Sequence, residues 1–486
     1  MGRRALGARP SKSAPDQVTS VTTDKNELYQ QRLNRYVTAM RNGKPDRIPI
    51  RPFVAEWTAR YAGYSCQEVS HDYRKAFEAV IKCCADFDWD AVVPNMVYVW
   101  TGLSQSVGLY YYAIPGIDVE PDNCFQYREP SLENSFMRRE EYDELIEDPT
   151  RFLYEVWFPR VASEVSASSY RSKVSLVKSS MAMLSYFTAF GPQIERMRTE
   201  TGTVSAISGI LKAPLDILAD KLRGYVGLSF DLMEIPDKVL AACQALMPHL
   251  GYIAVSGLDP ERNLPIPIWM HRGGVPFVSY ELFNKIYWPT LTPILDAIWA
   301  RGNQCLFYAE GNWDAHLETF ATRPAGSIIY HIDRGNPSKI HKALGDKFCL
   351  TGGIPNALLM NGTQDQVKAY CKRVIDEVAG NGGYIMDASA IVQNDATIEN
   401  IRAMTDFTRE YGVYSNQPAG APPPAQAPSA NPPIFTAKNT APGACWPWEE
   451  KLKELPALTG DKDLAKRIYE EIDFFSYLYI WHMLTD

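Results

Sequence analysis

In the second half of the chain, short apolar runs alternate with segments whose apolar positions recur every three or four residues. "NQCLFYAEGN" precedes "WDAHLETFA", "GSIIYHIDRGN" precedes "PSKIHKALGD", "KFCLTGGIPN" precedes "TQDQVKAYCKRVIDEVAGN", and "GYIMDASAI" precedes "TIENIRAMTDFTREYG". A short apolar run followed by a 3.6-residue period predicts a strand and its crossover helix. Four such units in succession predict parallel strands, and the length suits an eightfold arrangement. Earlier strand candidates are "RIPIRPF", "DAVVPNMVYVW", "VSLVKSSMAM" and "YIAVSGLDP", while "YYYAIPGIDVEPDNCFQYREP" has the look of an inserted hairpin. The predicted fold class is α/β, a (β/α)8 TIM barrel with an inserted hairpin region and a helical C-terminal extension.

The pattern also divides the chain. Residues 1–25 are polar, basic and poor in large apolar groups, which predicts a flexible tail. Residues 26–415 form the predicted barrel domain. Residues 416–446, "NQPAGAPPPAQAPSANPPIFTAKNTAPGACW", are dense in Pro and Ala and predict a semi-extended linker. Residues 447–486 resume helical patterning and form the extension. Its aromatic run "FFSYLYIWHML" is too short to span a bilayer, so no membrane partner is expected. That run is either the buried face of a terminal helix or a surface for homo- or hetero-oligomeric contact.

Composition narrows the function classes. With 486 residues, 46% hydrophobic and 22% charged, core volume is not a constraint and the body of the chain reads as soluble and globular. A formal charge of -8 argues against nucleic acid as a general partner. Nine cysteines, scattered and without a CxxC, favour reduced thiols and a cytoplasmic location. The basic N-terminus lacks an apolar segment and does not read as a secretory signal.

In a barrel, chemistry sits where strands end and loops begin. Those ends carry Glu56, His271 with Arg272, then Tyr308, Glu310 and Asn312, then His331 and Asp333, Gly352 and Gly353, and Asp387 with Ser389. One strand-helix unit separates Glu310 from His331, which places them on neighbouring strands at one predicted height. A carboxylate and an imidazole so placed can share a divalent ion, with His271 or Asp387 as third ligand. The plainer readings are that Glu310 orients its loop and that His331 bonds Asp333. Asn312 can cap the following helix by itself, which frees Glu310 for the pocket. Tyr308, Trp313 and Trp269 are expected to wall that pocket, with Asn312, His271, Arg272 and Glu56 as further substrate contacts.

Several segments carry a family resemblance. "RNGKPDRIPIRPF", "DFDWDAVVP", "VSYELFNKIYWPTLTPILDAIWARGNQCLFYAEGN", "HKALGDKFCLTGGIPNALLMNGTQDQVKAYCKRVIDE" and "GGYIMDASAIVQNDATIENIRAM" resemble the uroporphyrinogen decarboxylase superfamily, specifically its corrinoid-dependent methyltransferase branch. The likeness runs in order over most of residues 35–412. True decarboxylases carry an Arg-rich "MRQAGR" type segment after the first strand, where this chain has "EWTARYAGYS", so the resemblance is to the methyltransferases.

The resemblance implies a methyl transfer between a small donor, including methoxylated compounds, and a cobamide on a separate corrinoid protein, since the chain lacks a "DxHxxG" segment of its own. Thiol-directed relatives hold zinc through His-x-Cys-Gly after the fifth strand and a further Cys after the eighth. Here those positions read Tyr308, Ala309, Glu310, Gly311 and, approximately, Ser389. The implied Zn2+ would therefore rest on Glu310 and His331, with His271 or Asp387, and activate an ether or alcohol oxygen. Without metal, Glu310 or Asp387 would act as a general acid. Two other readings remain: transfer from methylcobamide to an acceptor, and a non-catalytic paralogue that binds a corrinoid or a partner protein.

Overall fold

The computed structural model describes residues 16–93, 98–417, 420–455 and 457–485. Six strands, Leu211–Lys212, Ile266–Met270, Cys305–Asn312, Ile328–Arg334, Cys349–Gly352 and Tyr384–Ile385, form one parallel sheet in chain order. Cys305 to Ala309 are buried without alternation, as a strand covered on both faces requires. Two more strands, Ala91–Val92 and Val204–Ser205, pair in parallel with each other. Single parallel bridges Ile50↔Met386 and Phe53↔Val93 connect the 48–54 segment to neighbours on either side. Ser208 N donates to Pro265 O at 3.1 Å on the far side of Val204–Ser205.

All four strand-helix units read from the second half are present. Their helices start where capping residues stand: Asn336 accepts from Lys339 N ahead of Pro337, Thr363 and Gln366 form a reciprocal box, and Thr397 accepts from Asn400 N. The hairpin pairs Tyr112–Ala113 with Gln126–Tyr127.

Two expected strands are helical instead. "VSLVKSSMAM" lies inside the helix Tyr170–Thr201, where Ser179 and Ser180 hydroxyls donate back to Leu176 O and the buried Ser172, Ser175, Ser179 and Met183 recur at helical spacing. "YIAVSGLDP" begins as the end of the helix Pro236–Ser256. Small and β-branched residues there pack one helix face, so their strand preference is overridden. Pro236–Ser256 is long and apolar enough to cross a membrane by length and composition, and packs against Trp288–Trp299 and Tyr142–Glu147.

The core has two parts. The larger lies between the sheet and the surrounding helices. The smaller lies against the sheet's other side and joins Phe53, Val93, Leu306, Tyr308, Ile329 and Ile385 to Tyr36, Val37 and Met40 of the helix Asp16–Met40. That helix begins inside the predicted tail. It is pinned by Arg35 and Arg47, whose guanidiniums reach buried Asp90 at 2.5 and 2.8 Å.

Residues 420–446 carry no regular structure but follow the surface. Arg301 Nη2 donates to Pro433 O, Phe435 seats on Gly251, and Asn439 Nδ2 donates to Glu147 O. The segment leads to the helices Trp448–Glu454 and Lys462–Thr485. Of the aromatic run, Tyr477, Tyr479 and Trp481 are buried against the chain itself: Tyr477 OH meets His249 Nδ1 at 3.0 Å and Trp481 stacks on the same ring.

Candidate active site

Register sets the heights. Lys212 pairs with Trp269, Trp269 with Tyr308, Tyr308 with His331, and His331 with Thr351, giving one row across five strands. Side chains alternate along a strand, so the next inward position after Tyr308 is Glu310, one row higher. Glu310 and His331 are therefore not at one height, contrary to the reading from strand ends. The strand from Cys305 and the strand from Ile328 run in register Cys305↔Ile328, which sets His331 beside Tyr308.

Around Glu310 is an array of charges. A register shift between Ala309 and Asn312 interrupts the ladder. Gly311 sits at φ 89°, open to glycine, and its N–H donates to Asp333 Oδ2 at 2.7 Å. Glu310 Oε1 lies 3.6 Å from His271 Nε2. On its other side His271 Nδ1 is 2.7 Å from Asp220 Oδ2. Asp220 also takes Lys212 Nζ at 3.1 Å and Arg272 Nε at 3.3 Å. Asp216, one turn earlier, accepts from Arg272 N at 2.7 Å and Tyr287 OH at 2.8 Å. Arg272 further pairs with Glu129 and lies over Tyr225 and Phe277.

These contacts fix protonation. Burial disfavours a charge on His271, but Glu310 and Asp220 outweigh it and raise the imidazole to about 10. Burial would raise Glu310 too, yet His271 holds it below its usual value. Asp220, facing Lys212 and His271, is held well below the carboxylate range despite its burial. At neutral pH the group is an imidazolium between two carboxylates. Glu310 keeps 39% of its side chain exposed, so the pair opens to solvent at the strand ends.

Below lies a second, fully buried layer. His331 Nε2 is 2.7 Å from Ser389 O, and its ring stacks on Tyr308 at 4.3 Å. Burial, then Arg51, lowers this imidazole to about 3, so it is neutral, with Nε2–H donating and Nδ1 free to accept. Gly352 allows the approach, since a Cβ there would be 2.8 Å from His331 Cε1. Asp387 Oδ1 accepts from Phe53 N and Ala388 N, and Oδ2 lies 3.3 Å from Arg51 Nη2. Burial raises Asp387 to about 7 against the pull of Arg51. Arg51 Nε and Nη1, Trp269 Nε1, Tyr308 OH, His331 Nδ1, Asp387 Oδ2 and Ser389 Oγ are all buried without a hydrogen-bond partner in the protein. Native interiors rarely leave so many polar atoms unsatisfied, and here they come from separate strands of one layer.

The remaining expected residues distribute as follows. Trp313 does not wall the pocket: it is buried among Tyr287, Phe283 and Phe320, and its Nε1 donates to Glu310 O. Asn312 Oδ1 accepts from Asp314 N at 2.8 Å, opening the turn Asp314–His316. Glu56 is buried, and burial pushes its carboxyl up to about 7. Sequence reasoning missed Lys212, Asp216, Asp220 and Arg51. "ILKAPLDILAD" holds the first three, and its signal was a strand end followed by Pro214 at the first helical position.

A zinc ion does not fit the expected ligand set. His331 Nε2 is taken by the Ser389 carbonyl, His271 Nδ1 by Asp220, and Asp387 faces Arg51. Among the described residues no group of three or more His, Cys, Asp or Glu is placed to hold a metal ion.

Residues 266–411 match the family model described as uroporphyrinogen decarboxylase (URO-D). The matched segment contains His271, Glu310, His331 and Asp387. The fold is similar to that of a methyltransferase from Methanosarcina mazei, with a TM-score of 0.51 and 13% identity over 78% of this chain and 98% of that one. No curated protein matches the chain.

Proposed function

We propose that this protein is a methyltransferase of a corrinoid-dependent system, taking a methyl group from a small donor, including methoxylated compounds, and passing it to a cobamide carried by a separate protein. Supporting the class are the URO-D match and the likeness to the archaeal methyltransferase. We further read the parallel sheet and its flanking pairs as one eightfold barrel, a reading supported by the bridges Ile50↔Met386 and Phe53↔Val93. Nine unpaired cysteines support a reducing, cytoplasmic setting.

The carrying observation is the His271 imidazolium held between Asp220 and Glu310 where the strands end. An ether or alcohol oxygen leaves poorly as an anion. In the proposed step the methyl–oxygen bond breaks as the donor's methyl passes to the nucleophilic cobalt of the acceptor, and the leaving oxygen takes the proton from His271 Nε2. Asp220 fixes the ring through Nδ1 and Glu310 favours its charged form. This moves the acid role from Glu310 or Asp387 to His271, since Glu310 is held as a carboxylate. Lys212 and Arg272 balance the charge of Asp220.

The test offers reduced cobalamin and a panel of methoxylated and methylamine donors to the purified protein, following the cobalt spectrum. Methylation by at least one donor, lost in His271→Gln, supports the reading. Demethylation of methylcobalamin by thiols alone would turn the direction round, and inertness in both directions would leave the non-catalytic paralogue.

A further inference from the structure

The C-terminal helix turns its aromatic run inward and leaves a different face outside. It runs beside the helix Tyr170–Thr201 in the same direction: the Ser179 and Tyr479 hydroxyls bond, and further along the Phe187 and His482 rings lie 5.3 Å apart. On the outer side, Val177, Met181 and Leu184 of one helix and Ile468 and Ile472 of the other are 47–63% exposed. Val177, Met181, Leu184 and the half-buried Phe475 line one groove between the two helices. Ile472 and Ile468 continue it over the next turns of the C-terminal helix.

Scattered exposed apolar residues are ordinary, whereas a contiguous stripe marks an interaction surface. Here both helices follow one spacing: Val177, Met181, Leu184 and Ile468, Ile472, Phe475 are each separated by four and then three residues, the seam of a helix that packs on another. Two such helices side by side are half of a four-helix bundle. The charges at the edge of the stripe indicate what supplies the other half. Lys466 reaches Glu449 and Glu470, each at 3.5 Å. Arg467 and Glu471, which immediately precede Ile468 and Ile472 and so share one flank of the stripe, are exposed and pair with no described residue. An antiparallel second copy that crosses between the two isoleucines sets each Ile468 on the other copy's Ile472 and brings each Arg467 towards the other copy's Glu471. One two-fold axis thereby matches both charges twice, as a self-complementary contact requires. A parallel copy would set this flank against the opposite one, and a ligand of a single charge sign would match only one of the two residues.

We propose that this face is a homodimer interface, in which the helices Tyr170–Thr201 and Lys462–Thr485 of each protomer pack as a four-helix bundle about a two-fold axis between Ile468 and Ile472. The buried aromatic side chains of the C-terminal helix fasten the extension to its own chain, and the exposed stripe of the same helix joins it to the second copy. Burying the stripe supplies the affinity, and the Arg467 and Glu471 pairs set the direction. This interface is independent of the methyl-transfer reading.

Analytical ultracentrifugation of the full-length protein over a concentration series tests it. The expected species has twice the 54.7 kDa mass of the chain. Ile472→Glu on one helix and Met181→Glu on the other should each give a monomer with an unchanged circular dichroism spectrum, because both side chains face solvent within the chain. Arg467→Glu and Glu471→Arg should each weaken the dimer by about tenfold in Kd, since each sets like charges opposite one another twice. Mixing those two variants should restore the wild-type affinity, an outcome that only the antiparallel arrangement gives. A wild type that stays monomeric at every concentration, a dimer that survives both apolar variants, or a mixture no tighter than its two components would overturn the proposal. Binding of a monomeric wild type to lipid vesicles would assign the stripe to a membrane surface instead.

Discussion

His271 Nδ1 lies 2.7 Å from Asp220 Oδ2, and the same carboxylate binds Lys212 and Arg272. An imidazole oriented this way has one nitrogen committed and the other, Nε2, aimed towards Glu310 and the solvent-facing side. If His271 supplies a proton in the proposed reaction, His271→Gln should lower kcat by about 10²–10⁴-fold, the usual contribution of a positioned acid. The pH profile gives the sharper check. With the imidazole raised to about 10, kcat should hold through neutrality and fall only as the pH approaches that value. Asp220→Asn removes one of the two charges that raise it, so the alkaline limb should move to lower pH. An unmoved limb would separate Asp220 from the acid.

Metal content provides an independent check of the geometry. Because His331 Nε2 is engaged by the Ser389 carbonyl and no group of three or more metal-ligating side chains is found among the described residues, Glu310→Ala and His331→Ala should leave the zinc content of the purified protein unchanged by elemental analysis. A stoichiometric zinc lost in both variants would show that the two side chains hold an ion together.

Tyr308 tests the buried layer. Its hydroxyl is buried without a hydrogen-bond partner in the protein, so folding strips it of water for no direct return. Tyr308→Phe keeps the ring stacked on His331 and should match or exceed wild-type stability, by up to about 1 kcal/mol in thermal or denaturant unfolding. If that layer receives part of the donor, KM should rise while kcat changes less. A large stability loss would show that the hydroxyl has a partner.

How much of this was legible follows from the period of the signal. The strands from Cys305 onward are continuous apolar runs closed by capping residues, so their order was readable. The first half was harder because the strands there are two residues long or single bridges, and "VSLVKSSMAM" offered more apparent strand than "TVSAI". In the site, the residue types at strand ends were legible but their heights were not. A one-residue change in register moves a side chain to the other face, and register lies in the pairing between strands. Asp220 was invisible for another reason: it projects from the π-helical turn Leu218–Leu222, not from a strand end.

Asp90 offers an acid-stability measurement away from the site. It is fully buried, and although burial opposes its charge, Arg47, Arg35 and Arg32 lower it to about 2. Its ordinary value is 3.8, so the folded state holds the carboxylate more tightly than the unfolded one. The contribution is complete above about pH 4 and is lost as the pH falls towards 2, worth about 2–3 kcal/mol. Asp90→Asn should flatten the unfolding free energy across that window and cost about 3–5 kcal/mol at neutral pH, because the buried arginines lose their counter-charge. An unchanged slope between pH 4 and 2 would mean that the ion network does not govern acid unfolding.

The Pro-rich segment makes the last case, because its composition predicts a free linker and its contacts describe a strap. Phe435 lies over Gly251 so closely that a Cβ on that glycine would collide with the ring, and Arg301 holds the Pro433 carbonyl two residues earlier. Further on, Thr440 Oγ1 bonds Asp148 Oδ2 at 2.5 Å, and Cys445 N donates to Asp473 of the terminal helix. A strap fixed at these points protects its own backbone from proteases, whereas a linker is cut wherever its sequence allows. Gly251→Val should displace Phe435 and expose residues 420–446 to limited proteolysis, and Phe435→Ala should do the same with a stability cost of about 1–3 kcal/mol. Equal cleavage rates in the wild type and both variants would return the segment to the flexible linker that its composition predicts.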